Sequence, residues 1–230
     1  MTAQEMHISF KQGLDKLDSK NYPNIEPEEI DLVLNQAQGV FVKQRYGKSN
    51  SKKESFEETQ KRIEDLKALI KTQVLSPLPN NVNNINSNAV FVELPKDHWI
   101  TIQEITNVTY VSCGEIIVSE DVYTQSIQHN DYSKLINNPF AKPQDDKVLR
   151  LVTMNGVELL HSSTSTVNNY KLRYIKQPVK IDSLSIPNVD CELSEITHQE
   201  IVNIAIAITL ENIEAKRLPT FIQVTENRQE

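Results

Sequence analysis

The sequence predicts an α+β chain: a helical bundle formed by N-terminal helices and a C-terminal helix, with an inserted antiparallel β-domain of sandwich or open-barrel type. Three observations point there. Apolar residues recur at helical spacing through residues 1–75. Alternating, β-branched and aromatic residues take over in residues 89–185. The helical pattern then returns over residues 190–217. Residues 76–88 form a linker, residues 125–147 a long loop inside the β-domain, and residues 218–230 an extended tail.

The first helix opens on Thr2-Ala-Gln-Glu5, a capping-box pattern, and carries Met6, Phe10, Leu14 and Leu17 at helical spacing. The second is bounded by its own chemistry. Pro27 suits a first helical position, while Glu28, Glu29 and Asp31 favour the positive N-terminal end. Lys43 and Arg45 favour the C-terminal end, and Gly47 stands where the chain leaves the helix. Its apolar face reads Ile30, Val33, Leu34, Ala37, Val40, Phe41. After the polar "GKSNSKK", Phe56, Ile63, Leu66, Ile70 and Val74 predict a third helix over residues 54–74. One apolar face on each helix calls for an antiparallel bundle or long hairpin.

"SPLPNNVNNINSN", residues 76–88, cannot continue a helix. Beyond it, "AVFVELP" and "HWITIQEITNVTYVSC" read as strands. "VLRLVTMNGVELLHSS" reads as a hairpin with Asn155-Gly156 as its two-residue turn. "NNYKLRYIKQPVKI" is a further strand, and "QHNDYSKLINNPFAKPQDD" an irregular loop with one short helical turn. The last helix starts after Ser194 and ends in Lys216 and Arg217 before Pro219. From Ile201 to Leu210 it is apolar nearly all round, so it must be covered on every side, by the other helices or by a neighbouring subunit. The closing "TFIQVTENRQE" is strand-like with no partner in view.

Composition narrows the function. With 230 residues, 38% hydrophobic and 24% charged, the chain can bury a sizeable core in one large or two small domains. A formal net charge of −7 argues against coating DNA through a broad basic surface, though not against lining a channel through which DNA slides. The N-terminus shows no basic and apolar signal-peptide pattern, and no apolar run reaches the ~18 residues of a membrane span. An intracellular, soluble product without membrane attachment is expected. Cys113 and Cys191 stand far apart, as two incidental thiols in a reducing compartment would.

Catalytic chemistry is hard to find. The five glycines form neither GxGxxG nor GxxxxGK, and the five histidines include no HxH or HxxxH pair. Asp97-His98-Trp99 could orient an imidazole for acid–base work, but also reads as a turn before a strand. His129-Asn130-Asp131 could bind a metal, but its Asn and Asp suit a self-bonded loop. "FVKQRYGKSNSKK" could touch nucleic acid, yet basic residues belong at a helix end anyway. No catalytic, cofactor or metal residue is therefore assigned.

Three segments together resemble a known family: "EMHISFKQGLDKLDSKNYPNIEPEEIDLVLNQAQGVFVKQRYG", "NDYSKLINNPFAKP" and "ITHQEIVNIAIAITLENIEAKR". They are similar to the head-to-tail connector, or ring and adaptor, proteins of crAss-like short-tailed bacteriophages. The resemblance implies a structural virion protein, not an enzyme. It would form a ring of twelve copies below the portal, linking portal to tail and lining the DNA exit channel. It would be assembled in the host cytoplasm and reside at the head–tail junction. The implied partners are other copies of itself, the portal protein, and further connector ring or tail proteins. Genomic DNA would pass without sequence-specific binding. The expected partner surfaces are outward polar residues of the second helix (Asp31, Asn35, Gln38), the apolar helix (Ile201, Ile204, Ile208) and the tail (Phe221, Ile222, Val224). The alternatives are a capsid-associated or cargo-docking protein that forms no ring, and a hydrolase using the His98 or His129 region.

Overall fold

The computed structural model describes residues 1–17, 25–47, 60–78, 88–112, 116–154 and 156–212. The fold is mixed α+β, with five helices and one seven-stranded sheet curled as a half-barrel among the described residues. Two compact units divide the chain: Met1–Leu69 with Pro178–Glu230, and Ile70–Gln177.

The first unit holds helices α1 (Ala3–Leu17), α2 (Pro27–Tyr46), α3 (Gln60–Leu66) and, after the strands, a last helix, Glu195–Asn212. The capping box of α1 forms as the sequence predicts. Thr2 N–H donates to Glu5 Oε2 at 2.9 Å, and Glu5 N–H donates to Thr2 Oγ1 at 3.2 Å. Pro27 is the first residue of α2, and Glu29 Oε2 accepts from Glu26 N–H at 3.3 Å. Gly47 ends α2 with φ −80°, its N–H donating to Lys43 O at 2.9 Å, so this cap uses no left-handed backbone.

The buried face of α2 is Ile30, Leu34, Ala37, Phe41 and Val42, while Val40 is exposed. In α1, Met6, Phe10 and Leu14 are buried as expected. The side chains of Leu17 and Phe56 lie outside the described residues, as do residues 213–230.

The third helix is shorter than its periodicity suggests. After Leu66 the chain makes a 3-10 turn, Lys67–Leu69, and then strand β1 (Ile70–Leu75). Ile70 and Val74 are four residues apart, and four is a multiple of the strand period as well as near one helical turn. With Thr72 between them they alternate on a strand, and pairing with β7 (Ser165–Lys176) decides the outcome. The break between units therefore falls at residue 70, and the Pro- and Asn-rich segment joins two strands of one sheet.

The remaining strands are β2 (Ala89–Glu93), β3 (His98–Ser112), β4 (Ile116–Ser126), β5 (Lys147–Val152) and β6 (Gly156–Leu160). Their order is β1-β7-β3-β4-β5-β6-β2, a single sheet, not a sandwich. Nor is it purely antiparallel, because β4 and β5 pair in parallel. The long segment between them, with helix α4 (Tyr132–Asn137), supplies the crossover that a parallel pair needs. The Glu195–Asn212 helix is α5.

Leu75 ends one edge strand, and Leu78, three residues on, bridges Phe91 in the other edge strand. The two edges are thus held within about 15 Å of each other at this end.

One face of the sheet holds Val92, Val108, Val122, Val148, Val157, Leu159, Tyr170, Leu172 and Tyr174. On the opposite face Leu149, Leu151, Leu160 and Ala89 pack with Ile127, Tyr132 and Leu135. Strand β6, which lies between β5 and the edge strand β2, is buried throughout as a result. Its first residue, Gly156, is not a turn residue. Thr153 N–H donates to Gly156 O at 2.9 Å, so the hairpin turn sits one residue earlier than the sequence suggests. A Cβ on Gly156 would meet Val92 O at 2.2 Å, so glycine is needed for close approach of β2.

Candidate functional site

His98 and His129 are both held in structural contacts. Asp97 does not orient His98. Its carboxylate accepts from Lys71 Nζ at 2.6 Å and from the Tyr174 hydroxyl at 2.9 Å. His98 Nε2 instead pairs with Thr101 Oγ1 at 2.9 Å, and its ring lies 5.4 Å from that of Tyr174. Burial, then the nearby Arg150 guanidinium, pushes the His98 pKa down, which favours the neutral ring. His129 donates from Nε2 to Val152 O at 2.8 Å, which ties the ring to strand β5. Among the described residues no group of three His, Cys, Asp or Glu side chains is placed to hold a metal. No helix among them is long and apolar enough to cross a membrane.

The basic end of α2 is also occupied. Arg45 lies 3.0 Å from Asp65, pairs with Glu200 on α5, and stacks over Phe41 at 4.9 Å. Lys61 reaches the other oxygen of Glu200 at 3.6 Å. This cluster joins α2, α3 and α5. Burial raises the Asp65 pKa, with Arg45 opposing. Arg45 is therefore a structural cation, while residues 48–53 lie outside the described residues.

Asp31, Asn35 and Gln38 do not face outward, as the sequence reading supposed. Asp31 and Gln38 are buried and Asn35 half-buried. All three engage the segment that returns from the sheet to α5. Asn35 donates to Ile181 O at 2.9 Å and accepts from Ile181 N–H at 2.8 Å. Asp31 Oδ2 accepts from Ser183 N–H and Oγ–H at 3.0 and 2.9 Å, and its Oδ1 lies 2.7 Å from His7 Nε2. Gln38 Nε2 faces the Cys191 sulfur at 3.8 Å. The reason is periodicity: residues 31, 35 and 38 form a second stripe beside the apolar one, which α1 and the returning segment cover. No local pattern announces the partners His7, Ile181 and Ser183.

On α5, Ile201 is fully buried with Val202, Ala205 and Ile206. Ile204, Ala207 and Ile208 are only half-buried, an apolar stripe left partly open among the described residues. Phe221, Ile222 and Val224 lie outside the described residues.

A second polar cluster sits on the same face of the sheet as Tyr170, Leu172 and Leu159. Arg150 Nη1 lies 2.9 Å from Glu104 Oε1, Tyr170 donates to Glu104 Oε2 at 2.8 Å, and Arg150 Nη2 donates to Ser126 Oγ at 2.7 Å. Burial raises the Glu104 pKa, with Arg150 and then Tyr170 opposing. Glu104 shares strand phase with Thr106 and Val108, so a charge on a buried phase was the available signal. This arrangement braces β3, β4, β5 and β7.

A family model described as phage tail ring protein 3/4 matches residues 1–218. Ring protein 3 of Bacteroides phage crAss001 is 28% identical over 224 residues, covering 91% of this chain and 95% of its own length. Ring protein 4/5 of the same phage is 25% identical over 228 residues, covering 90% of this chain and 92% of its own.

Proposed function

This chain belongs to the phage tail ring protein 3/4 family, and from that membership we propose that it forms one ring of a head-to-tail connector below the portal. The family names indicate structural phage ring proteins, not enzymes. The observation that carries the reading is the extent of the match, which runs through both units of the chain.

In this reading twelve copies close head to tail, link portal to tail, and line the DNA exit channel. The net charge of −7 suits a lumen to which DNA does not adhere. The helices act as a bundle whose open α5 stripe, Ile204 and Ile208, meets a neighbour. Phe221, Ile222 and Val224 dock on the portal or an adjoining ring by adding a strand to a sheet edge. Asp31, Asn35 and Gln38 fix the returning segment on α2 and act on the ring only through the stability of the fold.

The test is native mass by light scattering, for the protein alone and after mixing with portal. A closed ring in either sample is expected, and truncation after Arg217 should then abolish tail docking. A monomer indifferent to portal overturns the reading in favour of a capsid-associated role.

A further inference from the structure

The sheet contains a three-stranded stretch with two open edges at one level. Residues Thr106–Ser112 of β3 pair with Ile116–Val122 of β4 on one side, and Thr106–Tyr110 pair with Ser165–Tyr170 of β7 on the other. Strand β4 gains its second neighbour, β5, only from Tyr123 onward. Strand β7 gains β1 only from Tyr170 onward. Among the described residues, Ile116–Val122 and Ser165–Asn169 thus each have a ladder partner on one side only.

Such edges invite another strand, and proteins commonly guard them with proline, lysine or a covering element. Neither stretch contains Pro or Lys, and the two charges on β4, Glu120 and Asp121, are engaged within the sheet by Tyr110 and by Asn107 and Lys171. The stretch is also stiffened for docking. Across its outer face Asn168 Nδ2 donates to Asn107 Oδ1 at 2.8 Å and to Thr109 Oγ1 at 2.7 Å. Asn107 Nδ2 donates to Asp121 Oδ1 at 2.8 Å, and Lys171 Nζ to Asp121 Oδ2 at 2.5 Å. Ordering already present in the free chain is not lost again on association.

We propose that the open β4 edge of one copy pairs with the open β7 edge of the next, forming a continuous intersubunit sheet around the ring. The proposal rests on the ring reading. Its geometry is that of a closing head-to-tail contact, which needs two different surfaces on opposite sides of each copy. Strands β4 and β7 are both antiparallel to β3 and so run in the same direction. A rotation about an axis along the strands preserves that direction, so the two edges meet as a parallel pair. The chain already makes one such pair between β4 and β5. Pairing of β4 with β4 would instead stop at a dimer.

Cysteine pairs test this directly in a Cys113→Ser background. Ser119 pairs with Thr109, which pairs with Thr166, so one row crosses all three strands. Within a chain, two strand spacings of about 4.8 Å each keep the ends of that row too far apart for a disulfide. Across the proposed seam they are one spacing apart. Four double variants, Ser119→Cys or Asp121→Cys combined with Thr166→Cys or Asn168→Cys, allow for a shift of one row. Buried Cys191 stays silent, since burial pushes its thiol up to about 11.

After mild oxidation at least one double variant should give a ladder of covalent oligomers up to the full ring. The single variants should not. Val118→Pro and Ser119→Pro provide a second readout, because adjacent residues turn their N–H groups to opposite sides of a strand. One of the two should melt as wild type does yet fail to close a ring. If wild type forms a ring while no double variant ladders and both proline variants assemble, the edge pairing is refuted and the ring reading stands. If wild type forms no ring, with or without portal, both fall.

Discussion

His7 Nε2 lies 2.7 Å from Asp31 Oδ1, while the other oxygen of that carboxylate holds Ser183 by both its backbone N–H and its hydroxyl. One buried side chain thereby joins α1, α2 and the segment returning from the sheet. Asp31→Ala strands three donors at once and is expected to cost about 2–4 kcal/mol in urea unfolding. Asp31→Asn keeps an acceptor and should cost less. The effect on assembly should follow from stability alone, so conditions that keep the variant folded should keep the wild-type oligomer count. A changed count with unchanged unfolding free energy would restore an outward role for this residue.

Two glycines should respond oppositely to alanine. At Gly156 a Cβ would lie 2.2 Å from the Val92 carbonyl oxygen, on backbone that cannot step aside. Gly156→Ala should destabilise the sheet by about 2 kcal/mol or more. At Gly39, inside α2, nothing lies within 4 Å of an added Cβ. Gly39→Ala should therefore stabilise by up to about 1 kcal/mol through helix propensity. Thermal melts of the two variants on either side of wild type are the expected result.

Local chemistry was readable from the sequence where it acts over a few residues. The Thr2–Glu5 box, Pro27 at the start of α2 and the short turn-and-helix after Gln128 all form where the residues predict. Errors arose where two periods coincide, as at Ile70 and Val74, and where distant segments meet. Nothing near Asp31 reveals that Ser183 will reach it, nor does anything near Glu104 identify Arg150. The parallel β4–β5 pair was equally hidden, since strand patterns carry no direction. Burial of α5 was half legible: its all-round apolarity required cover, but only packing shows that Ile201 is enclosed and Ile204 is not.

Arg45 balances two carboxylates, Asp65 and Glu200, where α2, α3 and α5 meet. Arg45→Ala leaves them facing one another with Lys61 as the remaining cation nearby, and is expected to cost about 3 kcal/mol. The pH dependence is diagnostic. A carboxylate whose folded pKa is raised loses stability as pH climbs from its unfolded to its folded value, and removing Arg45 raises Asp65 further. The deficit of the variant relative to wild type should therefore be largest near neutrality and shrink on acidification. A deficit independent of pH would mean that lost packing on Phe41, not charge, is responsible.

Asp97 should behave in the opposite sense. The hydrogen bond from Lys71 lowers its pKa below the ordinary value of 3.8, burial opposing and Tyr174 adding a second donor. The Tyr174 hydroxyl is itself pushed up to about 12, mainly by burial, so it keeps its proton at neutral pH. A depressed carboxylate stabilises the fold fully above its unfolded value, and that contribution is lost as pH falls through the lower folded value. Asp97→Asn removes the titration and should flatten the stability curve as pH falls below the ordinary carboxylate value of 3.8, with little change in slope above it. Coincident acid limbs for wild type and variant would show that the Lys71–Asp97 pair, half exposed at the edge of the sheet, is screened by solvent to no net effect.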